Sequence, residues 1–145
     1  MNKIFKFTLF FYLIINILNI SNSNENFFNK GLKFYNDKNY EDARFMFEKS
    51  IVFNPRDSNS YLYLAKIYNI EENESEELKN LKTTLLLDPQ NEEALYMLIE
   101  IELEKSNFSE VKDLTKKFEI ICSKLCNKTK KIEEKLVDIE AKKES

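Results

Sequence analysis

A recurrence every 34 residues restricts how this chain can fold more than any other feature. Phe27, Tyr61 and Leu95 stand 34 apart, as do Gly31, Ala65 and Ile99, and again Phe34, Tyr68 and Glu102. Asn54-Pro55 returns as Asp88-Pro89. A unit this short cannot bury an apolar face alone, so the copies must stack and share a core. Each unit holds two amphipathic stretches joined by short polar turns: 25–37 with 40–53, 58–70 with 74–87, and 91–105 with 107–121. In 40–53, Tyr40, Ala43, Phe47 and Ile51 fall at i, i+3, i+7 and i+11, which is one face of a helix. Glu41, Asp42, Arg44, Glu48 and Lys49 lie mostly on the other side. Pro55 and Pro89 suit connections between helices, because proline pushes the residue before it out of the helical region. The chain reads as all-α. One Gly and two Pro in 145 residues are too few for a turn-rich sandwich or a Gly-rich phosphate loop.

These positions resemble the tetratricopeptide repeat family over about residues 24–123. In the first unit Phe27 fills the opening aromatic slot, Lys30-Gly31 the Leu-Gly step, and Phe34 the next aromatic. Tyr40 opens the second helix, Ala43 is the small residue at the helix crossing, Phe47 the aromatic four on, and Pro55 the closing proline. The second unit carries Tyr61, Leu64-Ala65, Tyr68 and Pro89; the third carries Leu95, Leu98-Ile99 and Phe108. Glu77 and Val111 replace the small crossing residue, which predicts looser crossings in the second and third hairpins. The resemblance implies a right-handed α-solenoid of three helix-turn-helix repeats, about 24–57, 58–91 and 92–125. A further stretch, about 127–143, places Ile132, Leu136 and Ile139 on one face with charges around the rest. It suits a C-terminal capping helix, since a terminal repeat must cover its apolar flank. A generic helical bundle is the alternative, and it would leave no open concave face.

Members of the family receive a peptide or partner helix on the surface made by the first helix of each repeat. Carrying the groove slots over gives Phe28, Leu32 and Tyr35 from the first unit, and Leu62, Lys66 and Asn69 from the second. The third contributes Tyr96, Glu100 and Leu103. The lysines and asparagines with which chaperone-binding members clamp a carboxylate are missing: Phe28 and Leu32 hold two of those slots, and Glu93 and Met97 two more. The lining is apolar and aromatic with an acidic end, suited to a peptide or amphipathic helix with basic flanks.

Catalysis lacks parts. With no His and two Cys, His-based triads and the usual zinc sets are excluded, and no catalytic residue, metal site or cofactor is expected. The acidic run Glu71, Glu72, Glu74, Glu76 and Glu77 reads as a solvated turn and helix start, where acids favour the positive end of the helix dipole. A net charge of −3 argues against nucleic acid as a partner.

The first 23 residues read as an export signal. Lys3 and Lys6 precede an uncharged, mostly apolar run from Phe7 to Ile20, and Ser21 and Ser23 follow with the spacing of a cleavage site. A spanning helix needs roughly 20 apolar residues, so a membrane tether is expected only if the segment is left uncleaved. The expected location is outside the cytoplasm, in a bacterial periplasm. There Cys122 and Cys126 would meet oxidising conditions and form a disulfide. On an intact helix, residues i and i+4 keep their Cβ atoms about 5–6 Å apart, whereas a disulfide needs about 3.5–4.5 Å. Pairing therefore predicts a helix that bends or ends near Cys122. The sequence thus points to a non-catalytic exported adaptor that binds a protein segment, with cell-envelope assembly as one setting. Two alternatives stay open: a thiol redox helper using Cys122 and Cys126, and a membrane-anchored scaffold.

Overall fold

The computed structural model describes residues 27–143, so the signal expected over residues 1–23 lies outside it. Among the described residues there are seven helices and no strand. We number them α1 (27–36), α2 (Tyr40–Phe53), α3 (Ser58–Ile70), α4 (Glu74–Leu87), α5 (Glu92–Glu104), α6 (Phe108–Ile121) and α7 (Lys128–Lys143). Consecutive helices pack on one another, α1 with α2, α3 with α4 and α5 with α6 making three hairpins.

The turn inside each hairpin is built the same way. Lys38, Glu72 and Ser106, 34 residues apart, adopt left-handed backbone with φ of 59°, 56° and 55°. The residue after each sends its N–H back to close the preceding helix: Asn39 to the Phe34 carbonyl, Asn73 to Tyr68 and Asn107 to Glu102. The same asparagines then start the second helices. Asn39 Oδ1 accepts the Asp42 N–H and Asn73 Oδ1 the Glu76 N–H, while Asn91 does likewise for Ala94 at the start of α5. One short turn thereby ends a helix, reverses the chain and starts the next.

Three core clusters each join a hairpin to the first helix of the following one. Ala43, Phe47, Leu64 and Ile67 form the first, with Phe28, Leu32 and Tyr35 packed against it. Leu62, Ala65, Leu81, Ala94 and Ile101 form the second. The third unites Leu95, Leu98, Ile99, Leu103, Val111, Leu114 and Phe118 with Ile132 of α7. Leu64, Leu98 and Ile132 are 34 apart and all buried, so α7 takes at the end of the stack the place that α3 and α5 take within it. Leu136 and Ile139 pack against the same cluster, completing the apolar face read from the sequence.

Both residues that replace the small crossing residue are buried. Val111 is wholly buried, and Glu77 is only 4% exposed, although the sequence reads it as solvated. Its burial is tolerated because Asn69 Nδ2 donates to Glu77 Oε1 at 3.1 Å. In the first hairpin the fit depends on Gly31: a Cβ there would stand 2.6 Å from Cε1 of Phe47.

Candidate functional site

The first helices of the hairpins carry the candidate surface. At the α1 end it is aromatic. Phe28 packs on Phe47 (ring centroids 5.7 Å apart) and edge-on to Tyr63 (5.8 Å), while Tyr35 meets Tyr63 at 5.1 Å and Tyr40 at 5.6 Å. Phe28, Leu32, Tyr35 and Tyr63 are all half-buried, so the cluster is braced from below and still offers apolar surface. Burial pushes the Tyr35 hydroxyl above its ordinary pKa, helped by Tyr40, Tyr63 and Glu93, so it stays a neutral donor at physiological pH.

Lys66 sits in the middle. Its ammonium lies 4.4 Å from the centre of the Tyr63 ring and 2.7 Å from Glu93 Oε1, tying α3 to α5. Beyond it a pocket of about 550 Å³ opens between the end of α3, the start of α4 and the outer face of α5. Asn69, Tyr96 and Glu100 line it together with Glu77, Met97 and Glu104. Burial pushes the Tyr96 phenol up to about 12, and Glu100 beside it adds to the shift. Glu100 is raised by burial too, but the Lys135 ammonium and the Tyr96 hydroxyl outweigh that and hold it below the usual carboxylate range. The Lys135 Nζ to Glu100 Oε2 contact, with Lys128 5.6 Å from the Tyr96 ring centre, ties α7 to α5 beside this pocket. Desolvation raises Glu77 above an ordinary carboxylate, only partly offset by the Asn69 hydrogen bond.

Two groove assignments need correction. Leu62 is 4% exposed and belongs to the core between α3, α4 and α5; Leu103 is 3% exposed and belongs to the core shared by α5, α6 and α7. Both sit at the margin of the outward face, and a leucine at a margin gains more free energy from a neighbouring core than from water. Tyr63, which the groove slots did not include, joins the surface beside Leu62. Tyr63 and Met97 are 34 apart and both half-buried, and they share this face with the slots that stay exposed. Lys128 and Lys135 were also missed, because nothing in a single sequence says which earlier residues a terminal helix will meet.

No protein-family model matches the sequence, and no curated protein matches it. Among solved structures, the chain resembles the type III secretion translocator chaperone SycD of Yersinia enterocolitica, with TM-score 0.72, 18% identity and coverage of 86% of this chain and 88% of that one. It also resembles the first TPR of Spaghetti (RPAP3) bound to the HSP90 peptide SRMEEVD, with TM-score 0.66, 14% identity and coverage of 79% and 93%. A third likeness is to the CopN–Scc3 complex, with TM-score 0.64, 21% identity and coverage of 82% and 69%. The fold is TPR-like. Stacked hairpins with an outward row of first helices are what that fold provides, and the aromatic patch, the Lys66–Glu93 tie and the pocket all lie on that row.

The cysteines lie at the join to α7. Helix α6 ends at Ile121, and Cys122 leaves it with extended backbone, φ −60° and ψ 141°. That break brings Cys122 and Cys126 together, their Cα atoms 5.2 Å apart. The segment between them wraps a carboxylate of α5. Glu92 accepts the backbone N–H groups of Ser123 (2.7 Å), Lys124 (3.1 Å) and Leu125 (3.2 Å). The Ser123 N–H contributes most to holding Glu92 below the usual carboxylate range. Among the described residues no group of His, Cys, Asp and Glu could hold a metal ion, and no helix is long and apolar enough to cross a membrane.

Proposed function

We propose that the protein is a non-catalytic adaptor that holds a peptide or helical segment of a partner protein along α1, α3 and α5. One observation carries this reading: Phe28, Tyr35 and Tyr63 form a braced but half-open aromatic patch at one end of the row, continuous with Lys66 and a 550 Å³ pocket at the other. Aromatic side chains fixed by their neighbours lose little freedom when a guest docks, which is the property of an interface anchor. The guest presents apolar side chains to Phe28, Leu32, Tyr35 and Tyr63, and a basic group to the pocket beside Asn69 and Tyr96, towards Glu72 and Glu104. Of the similar folds, one SycD structure is a complex with a peptide of the translocator YopD, and the RPAP3 repeat holds an HSP90 peptide. Both support the reading.

The domain spans about 24–145, is exported to the periplasm by residues 1–23 and serves cell-envelope assembly. Cys122 and Cys126 form a disulfide there, which stabilises the break between α6 and α7. A peptide display library selected against the immobilised chain tests the groove. Enriched peptides should bind roughly tenfold or more weakly to Tyr35→Ala and Tyr63→Ala, the loss expected for an anchor worth about 1.4 kcal/mol. Peptides indifferent to both substitutions would refute the site.

A further inference from the structure

The 550 Å³ pocket between α3, α4 and α5 holds more negative charge than the fold neutralises. Five carboxylates line it: Glu72, Glu74, Glu77, Glu100 and Glu104. Lys105 pairs with Glu74 at 2.6 Å, and Lys135 pairs with Glu100. Among the described residues, Glu72, Glu77 and Glu104 have no cation at ion-pair distance.

Glu72 and Glu104 are exposed, and solvated acids at a rim imply nothing by themselves. Glu77 is different. It is only 4% exposed, and among the described residues one donor reaches it, Asn69 Nδ2 at Oε1. Its other oxygen, Oε2, has no hydrogen-bond partner, and Glu77 belongs to the lining of the pocket. A carboxylate accepts up to about four hydrogen bonds, and a buried one is ordinarily satisfied. Burial raises the pKa of Glu77, and the charges of Glu104 and Glu74 add to the shift beyond what Asn69 offsets. The acid therefore costs the fold stability and meets no cation of its own. The rest of the lining includes the Tyr96 ring, Met97 and Ile101. The pocket thus offers apolar surface to an aliphatic stem and an uncompensated carboxylate to its head.

We propose that this pocket takes an arginine side chain of the guest, with Glu77 as its buried partner and Glu72 and Glu104 as its partners at the rim. The inference rests on the adaptor reading, because the arginine belongs to the segment held along α1, α3 and α5; it adds which side chain that segment must carry. Arginine suits the pocket better than lysine. A guanidinium is more weakly hydrated than an ammonium, so it gives up less on entering beside a buried acid. Its planar fork of donors can also serve two carboxylates at once, and its face can lie on an aromatic ring.

The amides of Nα-acetyl-arginine, Nα-acetyl-lysine and Nα-acetyl-citrulline are titrated separately into the full, nitrogen-15-labelled chain. Nuclear magnetic resonance follows the Asn69 side-chain amide and the backbone of residues 72–77 and 96–104. The arginine compound should shift these signals to saturation. The lysine compound should bind about threefold or more weakly, and citrulline, which keeps the shape without the charge, about tenfold or more weakly. Glu77→Gln should keep native helicity and lose the preference for arginine over citrulline. Glu110→Gln, an exposed acid on α6, should change nothing. Tyr35→Ala should leave arginine binding intact, since the aromatic patch lies at the other end of the row.

The two readings therefore fail separately. Selected peptides that need Tyr35 and Tyr63, carry no arginine and ignore Glu77→Gln would overturn the arginine inference and leave the groove standing. Arginine binding that needs Glu77, alongside peptides indifferent to Tyr35 and Tyr63, would sink the groove and uphold the pocket. Equal binding of the arginine and citrulline compounds, or tighter binding of spermidine than of arginine, would each overturn the inference, the last by making the pocket a site for a free polyamine.

Discussion

Replacing Gly31 by Ala tests the packing on which the aromatic end of the groove rests. The new Cβ would lie 2.6, 2.8 and 3.0 Å from Cε1, Cδ1 and Cζ of Phe47, where carbon atoms normally sit about 3.5–4.0 Å apart. The ring has no room to retreat. Phe47 is wholly buried, with Phe28 at 5.7 Å and Tyr63 stacked on it at 5.2 Å. Overpacking of this kind costs about 1–3 kcal/mol, and exchanging Gly for Ala inside a helix returns about 1 kcal/mol. The balance is a loss of up to about 2 kcal/mol, at about 4–8 °C of melting temperature for each kcal/mol in a domain near this size. Phe47→Leu removes the ring edge that Cβ would strike, so in that background Gly31→Ala should become neutral or stabilising. Urea denaturation of the four proteins in the cycle reads the coupling, expected to exceed about 1 kcal/mol. If Gly31→Ala changes stability equally in both backgrounds, the close approach of α1 and α2 described here is wrong.

Four further outcomes follow from the turns, the buried acid and the α7 join. Ser106→Gly should raise stability by about 0.5–1 kcal/mol, because left-handed backbone costs a side-chain-bearing residue about 1–2 kcal/mol and glycine little, less glycine's larger entropy loss; chemical denaturation reads it, and Lys38→Gly and Glu72→Gly should behave alike. Glu77→Gln should stabilise at neutral pH. Its folded pKa is raised by burial, so its contribution is full below the unfolded carboxylate pKa and lost as pH rises through the folded one; thermal melts at neutral and acid pH should show the gain only at the former. Glu92 is shifted the other way, so its hold on residues 123–125 is present above the ordinary carboxylate pKa and lost as pH falls through its lowered one. Hydrogen exchange should show α7 losing protection in acid, with Glu92→Gln removing that dependence. If Cys122 and Cys126 are paired, a dithiol should lower stability by about 2 kcal/mol, the chain-entropy value for so short a loop.

Much of the fold was legible because it is written in spacing. The 34-residue recurrence places Ala43 and Phe47, and the same register finds the apolar face of α7 at Ile132, Leu136 and Ile139. The turns inside the hairpins were not legible in kind, since the left-handed position is held by Lys38, Glu72 and Ser106 rather than by glycine. The groove was legible where a side chain had no competing core. Phe28, Leu32, Tyr35, Lys66, Asn69, Tyr96 and Glu100 all keep some exposure on or beside it, whereas Leu62 and Leu103 were drawn into neighbouring clusters. Facing patterns cannot resolve such margins, because one residue of rotation decides them and tertiary packing sets the rotation. The partners of Glu92 and Glu100 lie more than 30 residues away, on a segment whose position depends on how α7 docks.

Site-specific photo-crosslinking in the native host tests the central claim most directly. A photoreactive residue in place of Asn69, beside the pocket, is compared with one in place of Glu110, exposed at the start of α6. One discrete protein adduct is expected from position 69 and none from position 110, with loss of the adduct when Tyr35 and Tyr63 are both changed to Ala. No adduct at position 69, or the same adduct from both positions, would contradict it.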